Sequence, residues 1–149
     1  MLRLGKLTDY ATVILSYMAK NRFQMHAANE IADITGIAPA TVSKLLKQLA
    51  KAGLVCSTRG AKGGYELANL PEYITVASII SAVEGPIALT ECSISQQNCE
   101  QAGGCEIRGS WGKINQAIFN ALDSITLADL ILPASKPDEF YVPVASLYR

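Results

Sequence analysis

Apolar residues return every three or four positions through the first half of the chain, and that period predicts helices. Tyr10, Val13, Ile14, Tyr17 and Met18 form one stripe, with Thr8 placed to cap its start. Residues 28–35 predict a short second helix burying Ile31 and Ile34 and stopped by Gly36. Pro39 suits the first turn of a third helix, whose inner stripe is Val42, Leu45, Leu46 and Leu49 and whose C-terminal cap is Gly53. The pattern then changes. Residues 54–58 read as a strand, 59–63 as a glycine-rich turn and 64–67 as the returning strand. Thr75 opens a further amphipathic helix with Val76, Ile79, Ile80 and Val83 inside, closed by Gly85 and Pro86.

The polar positions carry the first functional signal. On the third helix the face opposite the apolar stripe holds Ala40, Thr41, Ser43, Lys44, Lys47 and Gln48, which are small, polar or basic. Two helices joined by a tight glycine turn, the second with such a face, make a helix-turn-helix. A hairpin with Arg59 and Lys62 at its tip, directly after the candidate reading helix, makes it a winged helix. Pro39, Ala40, Thr41, Ser43, Lys44 and Lys47 are then expected nearest the bases of a major groove. Arg59 and Lys62 are expected on phosphates or in the minor groove.

From about Ser110 a longer helix carries Trp111, Ile114, Ile118, Ala121, Leu122 and Ile125 on one stripe. A second copy of the same helix would cover it, giving a two-fold homodimer suited to a pseudo-palindromic duplex. The alternative is that this helix packs back on its own domain. The expected organisation is a DNA-binding domain over 1–84, a cysteine-containing loop over 85–109, and a dimerisation helix with a short following helix over 110–132. The proline- and aromatic-containing tail over 133–149 is expected to be extended or disordered. The fold class is mainly α, a winged helix-turn-helix with a β-hairpin wing and a long C-terminal dimerisation helix.

Charge strengthens this picture. The net charge of the 149 residues is zero, yet residues 1–70 hold nine Lys or Arg against four acids. A basic first half joined to an acidic second half points to a polyanion as the partner of the first. Half of the residues are hydrophobic, enough for a core, and no apolar run approaches the ~20 residues that span a bilayer. The first residues lack the apolar region of a secretory signal, so a cytoplasmic location is expected.

Three of the four cysteines, Cys92, Cys99 and Cys105, lie in one short segment rich in Ser, Gln, Asn and Gly. A structural cysteine behaves as a small buried hydrophobe and has no reason to gather there. Three thiols on a polar loop suit a soft metal, an iron–sulfur cluster or redox chemistry. Zinc is disfavoured because structural zinc sites are usually four-coordinate. The segment lacks C-x-x-C and a nearby histidine base, which argues against a thiol-redox enzyme. Cys56, in the first wing strand, is expected to be a packed hydrophobe. His26, the single histidine, is expected in a surface loop.

The opening Leu4-Gly5-Lys6-Leu7-Thr8-Asp9-Tyr10-Ala11 resembles the Rrf2 superfamily of transcription regulators. The reading-helix segment from Ile31 to Leu45, the wing 59–65, Ile79-Ile80-Ser81-Ala82-Val83-Glu84-Gly85, the three cysteines and Trp111 share the resemblance. It covers roughly residues 1–130 in order. Glu84 to Cys92, with Arg108-Gly109-Ser110-Trp111 following, is most similar to the branch that regulates SUF iron–sulfur assembly genes.

The resemblance implies a homodimeric repressor, not an enzyme, whose affinity for DNA follows the state of a 2Fe-2S or 4Fe-4S cluster. Cys92, Cys99 and Cys105 match the family's three cysteine ligands. IscR-type members place a histidine three residues after the last cysteine, where this chain has Arg108. Asp9 matches the aspartate that NsrR-type members contribute from the opposite subunit, and is the candidate fourth ligand. Glu91, Glu100 and Glu106 are weaker alternatives. Ser43 stands where IscR has a glutamate that discriminates operators, which implies a different site specificity. The alternative function is a DNA-binding regulator that uses thiol oxidation or zinc in place of a cluster.

Overall fold

Among the described residues, six of the seven α-helices and the hairpin follow from local sequence; their packing does not. A computed structural model of the chain describes residues 3–95 and 104–133, so Cys99 and the tail expected over 133–149 lie outside the described residues, apart from Pro133. The elements run α1 (Lys6–Lys20), α2 (Ala28–Thr35), α3 (Pro39–Lys51), β1 (Val55–Thr58), β2 (Gly64–Leu67), a 3-10 turn (Pro71–Tyr73), α4 (Val76–Glu84), α5 (Glu91–Ile94), α6 (Arg108–Asp123) and α7 (Leu127–Ile131).

The core is the helix-turn-helix filled by its own stripes. Val42, Leu45, Leu46 and Leu49 of α3 are fully buried against Ile14, Leu15 and Met18 of α1 and Ile31 of α2. Pro39 opens α3 at its first turn, where its missing N–H removes a donor that no helical carbonyl would have met. β1 and β2 pair antiparallel, Val55 with Leu67 and Thr58 with Gly64, around a turn at 59–63. Thr75 caps α4 by accepting the Ser78 N–H at 3.1 Å.

Several local expectations are corrected. Thr8 does not cap α1: the helix begins at Lys6 with Gly5 as its N-cap, and Thr8 is buried inside the first turn. Its hydroxyl donates to Glu84 Oε1, which also accepts the Gly5 N–H at 2.7 Å. Val13 and Ile34 are exposed, because the α1–α2 seam is filled by Ala11, Ile14, Leu15 and Ile31 and both side chains fall on the rim of a shallow surface groove. Cys56 is exposed, since Val55 takes the inward position and the next strand residue must point out. His26 is buried instead of lying on the surface.

The second half returns to the first. The backbone at 74–76 pairs with 125–127: Val76 N–H donates to Ile125 O at 2.9 Å, and Leu127 N–H to Ile74 O at 2.7 Å. This pairing ends α6 at Asp123, so Ile125 lies beyond the helix whose stripe it was expected to join. Leu127 of α7 then enters the core of the DNA-binding half, against α1. The segment 85–109 contains the single-turn α5 and the first residues of α6.

A polar cluster around Glu30 yields a pH test. Glu30 accepts the Tyr17 hydroxyl at 2.9 Å and the Ala27 N–H at 3.4 Å, and faces His26 Nδ1 at 3.5 Å. The Tyr17 hydrogen bond is the largest influence holding its carboxyl below the usual glutamate range, with the Ala27 N–H and His26 adding to it against partial burial. A carboxyl lowered in the folded state stabilises above the unfolded value of about 4.3 and loses that contribution as pH falls through the lowered value. Glu30→Gln is therefore expected to lower the melting temperature at neutral pH and to match wild type in acid. Thermal denaturation across pH checks this; a difference that grows in acid would contradict it.

Candidate nucleic-acid interface and sensor segment

The structure brings the expected DNA-contacting residues into two neighbouring exposed elements. With its apolar stripe fully buried, α3 must turn its other side outward. Pro39, Ala40, Lys44 and Lys47 are exposed, and Thr41 and Ser43 half-exposed. The wing follows α3 directly, with Arg59 and Lys62 exposed in its turn.

The turn depends on two glycines. Gly60 has φ of +119°, a conformation L side chains rarely adopt, and Gly63 N–H donates to Gly60 O at 2.9 Å. A Cβ at Gly63 would lie 2.2 Å from the Thr58 carbonyl oxygen. Gly63→Ala is expected to open the turn at about 1–3 kcal/mol. It should weaken duplex binding more than it lowers the melting temperature, as paired binding and melting measurements would show.

The thiols sit where the chain turns from the first half to α6. Cys92 is half-buried in α5, its Sγ 3.1 Å from the Thr90 hydroxyl, and Cys105 is half-buried just before α6. Both are free thiols, and α5 packs on α6. Asn115 of α6 holds the connector between α4 and α5: its amide donates to Ile87 O at 3.1 Å and its Oδ1 accepts the Leu89 N–H at 3.0 Å. Ile94 and Ile107 flank the thiols as exposed apolar side chains.

Among the described residues no three His, Cys, Asp or Glu side chains gather closely enough to hold a metal. Cys92 and Cys105 supply two soft donors of the kind a thiolate-bound metal requires, and Cys99 is outside the described residues. Asp9 is exposed on the first turn of α1 and Glu91 and Glu106 are exposed beside the thiols. Glu100 lies outside the described residues.

The expected dimerisation stripe is split. Trp111, Ile118 and Leu122 are half-buried, with Ile118 and Leu122 bordering a groove against Ile80 of the same chain. Ile114, Ala121 and Ile125 are exposed. Phe119, exposed on α6, was not in the expected set. The residues that sequence reasoning missed are polar ones acting over long range, Asn115, Glu84 and His26. No spacing rule marks them, although the single histidine of a chain always merits inspection.

A family profile described as Rrf2, iron-dependent transcriptional regulator, matches residues 4–133. The chain belongs to the Rrf2 family. The protein Rrf2 of Nitratidesulfovibrio vulgaris (strain Hildenborough) is 34% identical over 135 residues, 90% of each chain. Among solved structures, CymR, the global cysteine regulator of B. subtilis, matches with a TM-score of 0.68 at 34% identity, covering 88% of this chain and 97% of that one. IscR of T. potens matches with a TM-score of 0.67 at 28% identity, covering 97% and 96%. This Rrf2-family protein is thus a transcription regulator built on a DNA-binding winged helix, and not an enzyme. Among the described residues no helix is long and apolar enough to cross a membrane.

Proposed function

We propose that this Rrf2-family regulator is a cytoplasmic homodimeric repressor of iron–sulfur assembly genes, whose operator affinity is set by a cluster on Cys92, Cys99 and Cys105. One observation carries it: two free, half-buried thiols lie beside the α5–α6 contact, after a connector gripped by a helix that packs on the DNA-binding half. Each α3 would enter a major groove of a pseudo-palindromic duplex through Pro39, Ala40, Thr41, Ser43, Lys44 and Lys47. Arg59 and Lys62 would hold the backbone or minor groove. The exposed side of α6, with Ile114, Ala121 and Phe119, would meet a second copy, with Trp111, Ile118, Leu122 and Ile125 at its border. Asp9 of that copy would be the fourth ligand.

A bound cluster supplies soft-metal ligation that ties the thiolates together and can be gained, lost or oxidised. The chain does the rest. Asn115 fastens 87–89 to α6, α6 packs on α4, and α4 packs on α3 and α1. Restraint of the cysteine segment therefore reaches the reading helix through packed elements, with a coupling of ~1–3 kcal/mol.

A second reading, thiol oxidation or zinc without a cluster, is favoured by the likeness to a cysteine regulator at 34% identity. Purification without oxygen, with iron and sulfide measured per chain and a visible spectrum, separates the two. Stoichiometric iron and sulfide with thiolate-to-iron bands support the cluster. A colourless protein without iron that still binds a selected duplex moves sensing to thiols or zinc.

A further inference from the structure

We propose that His26 is the positioning residue of the wing, fixing the direction in which Arg59 and Lys62 are presented relative to α3. The proposal rests on the reading above, that these two side chains hold DNA.

His26 lies in the loop between α1 and α2, yet it is only 1% exposed. Its backbone pairs in both directions with the wing: His26 N–H donates to Tyr65 O at 2.9 Å, and Tyr65 N–H donates to His26 O at 2.8 Å. β2 therefore has β1 on one edge and His26 on the other. A two-stranded hairpin is marginal by itself, so this second edge matters to its order.

The ring holds that backbone in place. Nε2 lies 3.0 Å from the Asn21 carbonyl oxygen, which only accepts, so Nε2 carries a proton. The ring meets Tyr17 of α1 edge-on, with centroids 5.1 Å apart. Nδ1 faces the Glu30 carboxylate of α2 at 3.5 Å and has no hydrogen-bond partner among the described residues. One imidazole thus touches both α1 and α2 while its main chain carries the wing strand. The fit is close: a Cβ at Gly64 would stand 2.8 Å from the His26 carbonyl oxygen. An aliphatic side chain could fill the space but could not donate to Asn21, and the strand edge would lose its anchor.

The test uses the full chain, amide exchange, and a duplex that the wild-type protein selects from a random-sequence pool, titrated across salt. In His26→Leu the Tyr65 amide is expected to lose protection while the Leu46 and Leu49 amides keep theirs. The slope of affinity against salt should fall by about 1 per wing cation. Arg59→Ala with Lys62→Ala should then add nothing further, whereas Lys44→Ala still adds in full. His26→Gln, whose amide can donate to the Asn21 carbonyl, should recover part of the slope. If the Leu46 amide also loses protection in His26→Leu, the fold has been lost. Gly64→Ala, which crowds the His26 carbonyl and leaves the ring in place, then reads the same pattern.

Retained protection at Tyr65, or wing substitutions that stay fully additive in the His26 variant, overturns the proposal. So does a wing substitution without effect in the wild-type background. That last result condemns the DNA reading of the wing, and the Tyr65 amide distinguishes it from a failure of His26 itself.

Discussion

Leu127→Ala is expected to destabilise the whole DNA-binding half by about 2–5 kcal/mol, as for other fully buried leucines. Leu127 has no exposed surface and shares one core cluster with Ile14, Leu46 and Ile79. Its position is held before any side chain packs. The Leu127 N–H donates to Ile74 O, and Thr126 caps α7 reciprocally with Asp129, whose carboxylate accepts the Thr126 N–H and hydroxyl at 2.8 Å each. Truncation leaves a cavity that a backbone so pinned cannot collapse to fill. At roughly 2–4 °C per kcal/mol for a chain of this size, the melting temperature should fall by several degrees in one transition. Calorimetry reads this directly. An unchanged transition, or a separate early one, would mean that α7 is peripheral to the DNA-binding half.

Cys92→Ala is expected to abolish iron and sulfide binding and to hold the protein in one state of DNA affinity. The coupling estimated above corresponds to a shift of about 5–150-fold between the two states in wild type, which the variant should no longer show. The melting temperature of the iron-free protein should hardly move, because Cys92 is only half-buried and its side-chain contact among the described residues is to the Thr90 hydroxyl. The measurement is duplex affinity of wild type and variant, each prepared without oxygen and after removal of iron. A variant that keeps its iron, or that still switches, would sink the assignment of Cys92 as a ligand.

The helix-turn-helix was legible because its signals are local. Pro39 and the stripe Val42, Leu45, Leu46 and Leu49 specify α3 and its buried face without reference to the rest of the chain. The wing was legible for the same reason, as its glycines answer turn geometry within five residues. Errors clustered where an apolar residue had two available faces. Val13 and Ile34 carry the right period, yet neighbours in the fold take the space they were expected to fill. The strand rule that places Val55 inward equally turns Cys56 out, so that exposure follows from alternation once the inward residue is known.

By itself the sequence determined the family, the helix-turn-helix with its hairpin, the outward face of α3, and the gathering of three thiols that are proposed as ligands. Each of these depends on residues close together in the chain. Only the tertiary structure decided that α7 completes the core of the DNA-binding half and that Asn115 fastens the connector to the thiols. Only it showed that Glu84 receives the start of α1 and that His26 is buried beneath the wing. The polar contacts among these join residues 26 to 79 positions apart, through single side chains and isolated pairs of backbone hydrogen bonds, and Leu127 meets α1 from more than 100 positions away. Such pairings leave no periodic trace, since one hydrogen bond needs one residue in the right place and imposes nothing on its neighbours.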